Sequence, residues 1–284
     1  MIFVSLGSGS SGNCSFIASD TARILIDCGI NAKKIDESLR ALGFCAEDLD
    51  AVFLTHEHSD HIKGLKRLMS VYQVPVYGSG GTLRSLSTVL KDAYFSFAGK
   101  SLLHEVSADQ MIQLSGMEIL PFRISHDAAQ PLGYRIQIRE ALSLFSEENG
   151  EGDFRMLRAA VATDMGYFDD TVRDHLLGLD VLLIEANHDR GMLANGPYPV
   201  RLKRRIMSRE GHLSNQSCGQ LLSEILHPGM RHIFLGHLSK ENNTPEKALK
   251  TVKQEICANC GLSEGELPPI TVAPQDGMSQ VIRL

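Results

Sequence analysis

Residues 55–61 read Thr-His-Glu-His-Ser-Asp-His, which sets His56, His58, Asp60 and His61 within six positions directly behind the largely apolar run Asp50–Leu54. The run reads as a strand, so the cluster falls where the strand ends. Histidines at i and i+2 of an irregular turn point the same way, and the Asp-His pair that follows reaches a second point close by. The arrangement suits two adjacent metal ions. The helical His-Glu-x-x-His site of single-zinc proteases is excluded, because the last position of that pattern falls on Asp60.

The string resembles the His-x-His-x-Asp-His signature of the metallo-β-lactamase superfamily. That resemblance implies three further ligands, and three residues that each close an apolar segment answer to them: His126 in Phe-Arg-Ile-Ser-His-Asp, Asp164 in Ala-Val-Ala-Thr-Asp-Met-Gly and His237 in Ile-Phe-Leu-Gly-His-Leu-Ser. It implies two divalent ions per chain, one held by His56, His58 and His126 and the other by Asp60, His61 and His237, with Asp164 and a water-derived hydroxide between them. Imidazole and carboxylate donors accept zinc, manganese or iron, with zinc the expected occupant. Such a pair lowers the pKa of its water towards about 7 and supplies a nucleophile at neutral pH, with Asp60 at the reacting centre. Asp27, in Arg-Ile-Leu-Ile-Asp-Cys-Gly, matches the family's first motif, and the resemblance assigns it to supporting the metal loops.

The 284 residues, 43% of them hydrophobic, are enough for a large core and are read as one hydrolase domain over 1–284. The polar stretch 146–153 is flanked by apolar strand-like segments and reads as a long hairpin excursion. No apolar run approaches the ~18 residues of a membrane span, and the first residues lack a charged, cleavable leader, so a cytoplasmic protein is expected. Six cysteines without a small-scaffold spacing are read as reduced thiols.

Strands are expected near 2–6, 23–27, 51–55, 117–124, 132–138, 157–163, 180–184, 231–236 and 279–283. Amphipathic helices are expected at 31–42, 61–71, 82–90, 213–226 and 245–256; in the first, Ile35, Leu39 and Leu42 share a face behind an Asn31 cap. One-sided helices among strands suggest sheets covered on the outside. The resemblance supplies the specific α/β architecture, a four-layer αββα sandwich with the metals at one edge.

The superfamily's chemistry is broad, and the second half of the chain narrows it. Leu182–Asn187 resembles the His-Glu-Ala-Thr segment of the transfer-RNA 3′-processing members, with Ile184 and Asn187 as departures, and Gly211–Gln216 resembles their His-Ser-Thr element. The likeness gives His212 the role of protonating the leaving oxygen and Glu185 that of orienting it. The opening Ser5–Asn13, Glu185–Asp189, Gly196–Pro199 and Gly236–Pro245 complete a pattern similar to the bacterial YycJ (WalJ) family over nearly the whole chain. That family implies a metal-dependent 5′ to 3′ DNA exonuclease with a possible repair role, and places His188 near the substrate.

A net charge of −6 argues against a broad non-specific nucleic-acid surface, yet Arg201, Lys203, Arg204, Arg205 and Arg209 crowd together just before His212. Such a run can hold phosphates beside the metals, and DNA is the expected partner. The alternative is a small-molecule metallohydrolase of thioesterase or lactonase type. Such an enzyme needs neither a leaving-group acid of this kind nor a basic run.

Overall fold

The computed structural model describes residues 1–141 and 154–284. The polar stretch 146–153 read as a hairpin excursion lies outside the described residues. In chain order the strands are β1 (Ile2–Gly7), β2 (Cys14–Ala18), β3 (Arg23–Ile26), β4 (Ala51–Phe53), β5 (Val76–Ser79), β6 (Leu103–Val106), β7 (Ile112–Leu114), β8 (Met117–Arg123), β9 (Leu132–Ala141), β10 (Phe154–Ala162), β11 (Val181–Glu185), β12 (His232–Gly236), β13 (Ile270–Val272) and β14 (Ile282–Arg283). They form two seven-stranded sheets, β14-β1-β2-β3-β4-β5-β6 and β13-β12-β11-β10-β9-β8-β7. Each sheet is antiparallel on one side and parallel on the other, with β3 to β6 and β10 to β13 as the parallel halves.

The strand sequences explain the layering. In β3, Ile24 and Ile26 face the core between the sheets, while Leu25 faces the outer helices. In β11, Val181 and Leu183 point inward and Leu182 and Ile184 outward. Both faces are buried, which is why these strands read as continuous apolar runs instead of alternating ones. Phe3 stacks on Phe234 across the sheets at 5.8 Å, and Phe53 meets Tyr134 edge-on at 5.5 Å. Helices cover both outer faces, giving the expected αββα sandwich.

The helices follow their end signals. Asn31 caps Ala32–Ala41 by accepting from the Lys33 amide, Ser214 caps Asn215–Ile225, and Thr244 caps Pro245–Cys260, which ends on left-handed Gly261. One expectation is corrected: 61–71 is two helices, Ser59–Ile62 and Leu65–Val71. The break lies at Lys63–Gly64, where the Gly64 amide donates to the Cys28 carbonyl at 2.8 Å. A Cβ on Gly64 would stand 2.7 Å from the Ile30 carbonyl oxygen, so the chain is pressed against the 27–30 loop there. The expected strand at 279–283 shrinks to Ile282–Arg283.

Parallel strands gather their carboxyl ends along one edge. Asp27 follows β3, Thr55 and His56 follow β4, Asp164 follows β10, Glu185 ends β11 and His237 follows β12. This is the edge at which open α/β sheets present functional loops. The second sheet also fixes the first sheet's loop directly: the Tyr134 hydroxyl donates to the Leu54 carbonyl at 2.7 Å, and the Leu132 amide donates to the Thr55 carbonyl at 2.9 Å.

Candidate metal centre

Three residues of the cluster sit in the left-handed backbone region, Asp27 (φ 60°), Asp164 (φ 58°) and His237 (φ 52°). Each lies just past a strand end, so the chain turns sharply there and aims the side chain across the edge. For a non-glycine residue this conformation costs ~1–2 kcal/mol, and surrounding contacts must hold it. At His237 they are visible: its amide donates to the Ser8 hydroxyl at 2.9 Å, and its carbonyl accepts from the Asn187 side-chain amide at 2.8 Å.

The geometry groups the side chains into overlapping sets whose donor atoms lie within 4.8 Å of one another: His56, His58 and His126; Asp60, His61 and His237; His56, His61 and Asp164; and Asp164, Glu185, His212 and His237. All seven residues expected to bind metal are therefore brought together. Asp164 stands between the two triads, its Oδ2 3.1 Å from His61 Nε2 and its Oδ1 3.9 Å from His126 Nε2.

An account of the ring nitrogens shows how the rings are oriented. The Thr55 amide and hydroxyl both donate to Asp27, each at 2.8 Å. Thr55 Oγ then accepts from His56 Nδ1 at 3.0 Å, and Asp27 Oδ2 accepts from His61 Nδ1 at 2.7 Å. His126 Nδ1 donates to the Gly211 carbonyl at 3.2 Å, and His237 Nδ1 donates to Glu185 Oε1 at 2.8 Å. Four rings thus spend Nδ1 on an acceptor and turn Nε2 inward, the pattern in which outer partners fix the tautomer of metal-binding histidines.

Nε2 of His56 and Nε2 of His237 are buried with no hydrogen-bond partner among the described residues. Buried polar atoms are almost always paired, and here one unpaired ring nitrogen belongs to each triad. The electrostatics point the same way. Burial would raise the Asp164 carboxyl, yet His237 and His61 hold it well below the usual carboxylate range. Burial opposes charge on His61, but Asp27 and Asp164 lift it to about 10, and Asp164, with Asp60 and Glu185, lifts His237 well above the imidazole range. Burial and the neighbouring rings push the pKa of His56 and His126 down, toward the neutral form in which imidazole binds a metal. The donor set and its field fit divalent cations.

Glu185 is fully buried and fully paired. Its Oε1 accepts from both His237 Nδ1 and His212 Nδ1 at 2.8 Å, and its Oε2 accepts from the Met165 amide at 2.8 Å and the Leu213 amide at 3.1 Å. Burial would raise its pKa, but His212 and His237 bring it down to about 2. One carboxylate so pins the loops carrying Asp164, His212 and His237.

The remaining expected residues are placed less uniformly. His188 is buried, its main chain bridged to Ser214, with Nδ1 unpaired among the described residues; burial takes its pKa down to about 4. The basic run lies on and just beyond the helix Val200–Ile206. Arg201 and Arg204 are exposed, whereas Lys203 donates to the Ala194 carbonyl at 2.7 Å, Arg205 pairs with Asp127 at 2.5 Å, and Arg209 lies 3.7 Å above the Tyr167 ring. Asp127 in turn stands 3.4 Å from His126 Nε2, so Arg205 touches the rim of the cluster.

Sequence reasoning missed several positioning residues. Asn13 takes the Gly9 amide on Oδ1 at 2.9 Å and sets Nδ2 3.1 Å from His61 Nε2, while Ser8, Thr55 and Asn187 hold the cluster as described. Their partners are remote in sequence, as with Ser8 and His237. The Gly-rich opening Gly7–Gly12 was the one signal for them: a Cβ at Gly12 would stand 2.5 Å from the Gly29 carbonyl oxygen, so this loop packs directly on the metal loops.

Comparison with known proteins agrees with this geometry. The beta-lactamase superfamily domain profile matches residues 22–237. The chain is 31% identical to exodeoxyribonuclease YycJ of Bacillus anthracis over 93% of its own length and 92% of that protein. It is 35% identical to exodeoxyribonuclease WalJ of Streptococcus pneumoniae over 88% of its length and 86% of that protein. Among solved structures, the metallo-beta-lactamase fold protein YhfI of Bacillus subtilis superposes with a TM-score of 0.65 at 17% identity, covering 98% of each chain. Family profile, relatives and fold agree that the chain belongs to the metallo-β-lactamase superfamily, in the group that includes the YycJ and WalJ proteins.

Proposed function

We propose that the protein is a dinuclear metal-dependent phosphodiesterase that degrades DNA from an end. His56, His58 and His126 would hold one divalent ion and Asp60, His61 and His237 the second, with Asp164 placed between the two sets. Zinc, manganese and iron all suit this mixture of imidazole and carboxylate. When bound, the ions supply Lewis acidity and a water acidic enough to serve as nucleophile near neutral pH.

The observation that carries the reading is the carboxylate shared by His212 and His237. His212 Nδ1 is committed to Glu185 Oε1, which leaves Nε2 as the atom able to give a proton to the leaving oxygen. The same carboxylate stabilises the imidazolium and ties it to a metal ligand, so the acid keeps its distance from the metals. Phosphodiester cleavage expels an alkoxide that needs such a proton. A thioester expels a thiolate and has no comparable use for this ring; a lactone also releases an alkoxide, but neither the basic helix Val200–Ile206 nor the exodeoxyribonuclease relatives favour that substrate. The relatives named as exodeoxyribonucleases support DNA as substrate. The exposed Arg201 and Arg204, with Arg205 at the rim, are suited to hold the strand by its phosphates. His188, tied to the His212 segment by its main-chain bridge to Ser214, lies near the proposed substrate path.

The test is an assay of end-labelled DNA and RNA, single- and double-stranded, with each metal in turn. Stepwise release of nucleotides from DNA is expected. Hydrolysis of thioesters or lactones in preference to any nucleic acid would overturn the reading.

A further inference from the structure

Asp60 also borders a cavity of about 490 Å³ whose walls include Ser10, Ser11, Lys63 and Lys66. The volume lies within the ~300–1,000 Å³ typical of small-ligand sites. The floor is apolar: Ile62 and Leu90 are buried, and Val89 is 55% exposed beside them. The helix break at Gly64 places Lys63 and Lys66 along this wall. Among the described residues, the lysines in ion pairs are Lys33, Lys34, Lys247 and Lys253. Lys63 and Lys66 stand within ion-pair distance of no carboxylate among the described residues, and they share the cavity wall with Asp60. The other acid of the cavity, Glu57, is occupied by the Ala129 amide at 2.8 Å and the Thr82 hydroxyl at 3.5 Å. Ser10 and Ser11 are exposed at the tip of the Gly7–Gly12 loop, free to meet an anion.

Paired cations, hydroxyls and an apolar platform at one end of a phosphodiesterase site are the recognition chemistry of a nucleotide. We propose that this cavity seats the terminal nucleotide of the substrate strand, with its phosphate between Lys63, Lys66 and the Ser10–Ser11 tip and its base over Ile62, Val89 and Leu90. The proposal rests on the nuclease reading above and deepens it. Arg205 marks the His126 side of the cluster and the two lysines mark the Asp60 side, so the strand runs across the metals with its end in the cavity. Strands that carry a terminal phosphate are then the preferred substrates.

The metal-loaded protein is titrated calorimetrically with dAMP and with deoxyadenosine, as wild type, Lys63→Gln/Lys66→Gln, Val89→Asp and Arg67→Gln. The double variant should lose roughly tenfold or more in dAMP affinity, about the value of one charge-assisted hydrogen bond, and much less for deoxyadenosine. Val89→Asp should weaken both ligands. Arg67→Gln, an exposed charge outside the cavity, should weaken neither. In parallel, wild type should degrade terminally phosphorylated DNA faster than hydroxyl-ended DNA, whichever end bears the phosphate group, and the double variant should lose that preference. Unchanged dAMP affinity in the double variant, or equal losses for dAMP and deoxyadenosine, overturns the cavity assignment while a DNA-degrading wild type keeps the nuclease reading. A wild type that degrades no DNA with any metal overturns both.

Discussion

Nδ1 of His212 lies 2.8 Å from Oε1 of Glu185, the same oxygen that accepts from the metal-cluster residue His237. His212, the proposed proton donor, and His237, a proposed metal ligand, are therefore parts of one hydrogen-bonded unit. His212→Ala should keep fold and metal but lose about 10²- to 10⁴-fold in turnover of DNA, the usual span of general acid catalysis. A phosphodiester with a better leaving group should lose less. Equal losses on good and poor leaving groups would reduce the ring to a positioning role.

Asp27 tests the outer layer of the cluster. It accepts from His61 and Thr55 and sits at φ 60°, a conformation asparagine also tolerates. Asp27→Asn should therefore leave the fold intact while weakening metal binding by about 10- to 100-fold, as is usual when an outer partner of a ligating histidine is lost. Competition against a chelator of known affinity measures this directly. Unaltered retention would mean that Asp27 serves only the backbone of the 55–61 turn.

The basic run tests the path of the strand. Neutralising Arg201 and Arg204 together should weaken DNA binding similarly for all sequences, since phosphate contacts carry no base information. The log-log salt dependence should flatten by roughly 0.7 to 0.9 for each phosphate that the variant no longer neutralises. Arg205→Gln should have a further effect through release of Asp127 beside His126. DNA binding that keeps both its strength and its salt slope would place the strand elsewhere.

The proposed ligands were legible through the resemblance to the metallo-β-lactamase signature, and the 55–61 cluster, His126, Asp164 and His237 each follow an apolar run that the fold brings to the carboxyl edge of a sheet. The short strands β2, β5, β6, β7 and β13 were not foreseen, nor were the short helices Asp92–Gly99, Asp170–His175, Arg190–Asn195 and Val200–Ile206. They are too brief to show a period, and tertiary packing decides them. The residue pairs that orient the site were hidden for a different reason. Asp27 with His61, Asn13 with His61 and Ser8 with His237 meet only after the sheets bring distant loops to one edge. Conversely, the basic run looked uniform in sequence, but Lys203, Arg205 and Arg209 are each engaged by nearby groups.

The central claim is a pair of ions shared by seven side chains. The most direct test strips the protein of metal, restores divalent ions stepwise, and follows ions bound per chain by elemental analysis beside nucleotide release from end-labelled DNA. Release should rise as loading approaches about two ions per chain, and Asp60→Ala or His237→Ala should halt loading near one with loss of activity. Full DNA degradation at a single ion per chain, or unchanged loading and activity in both variants, would contradict it.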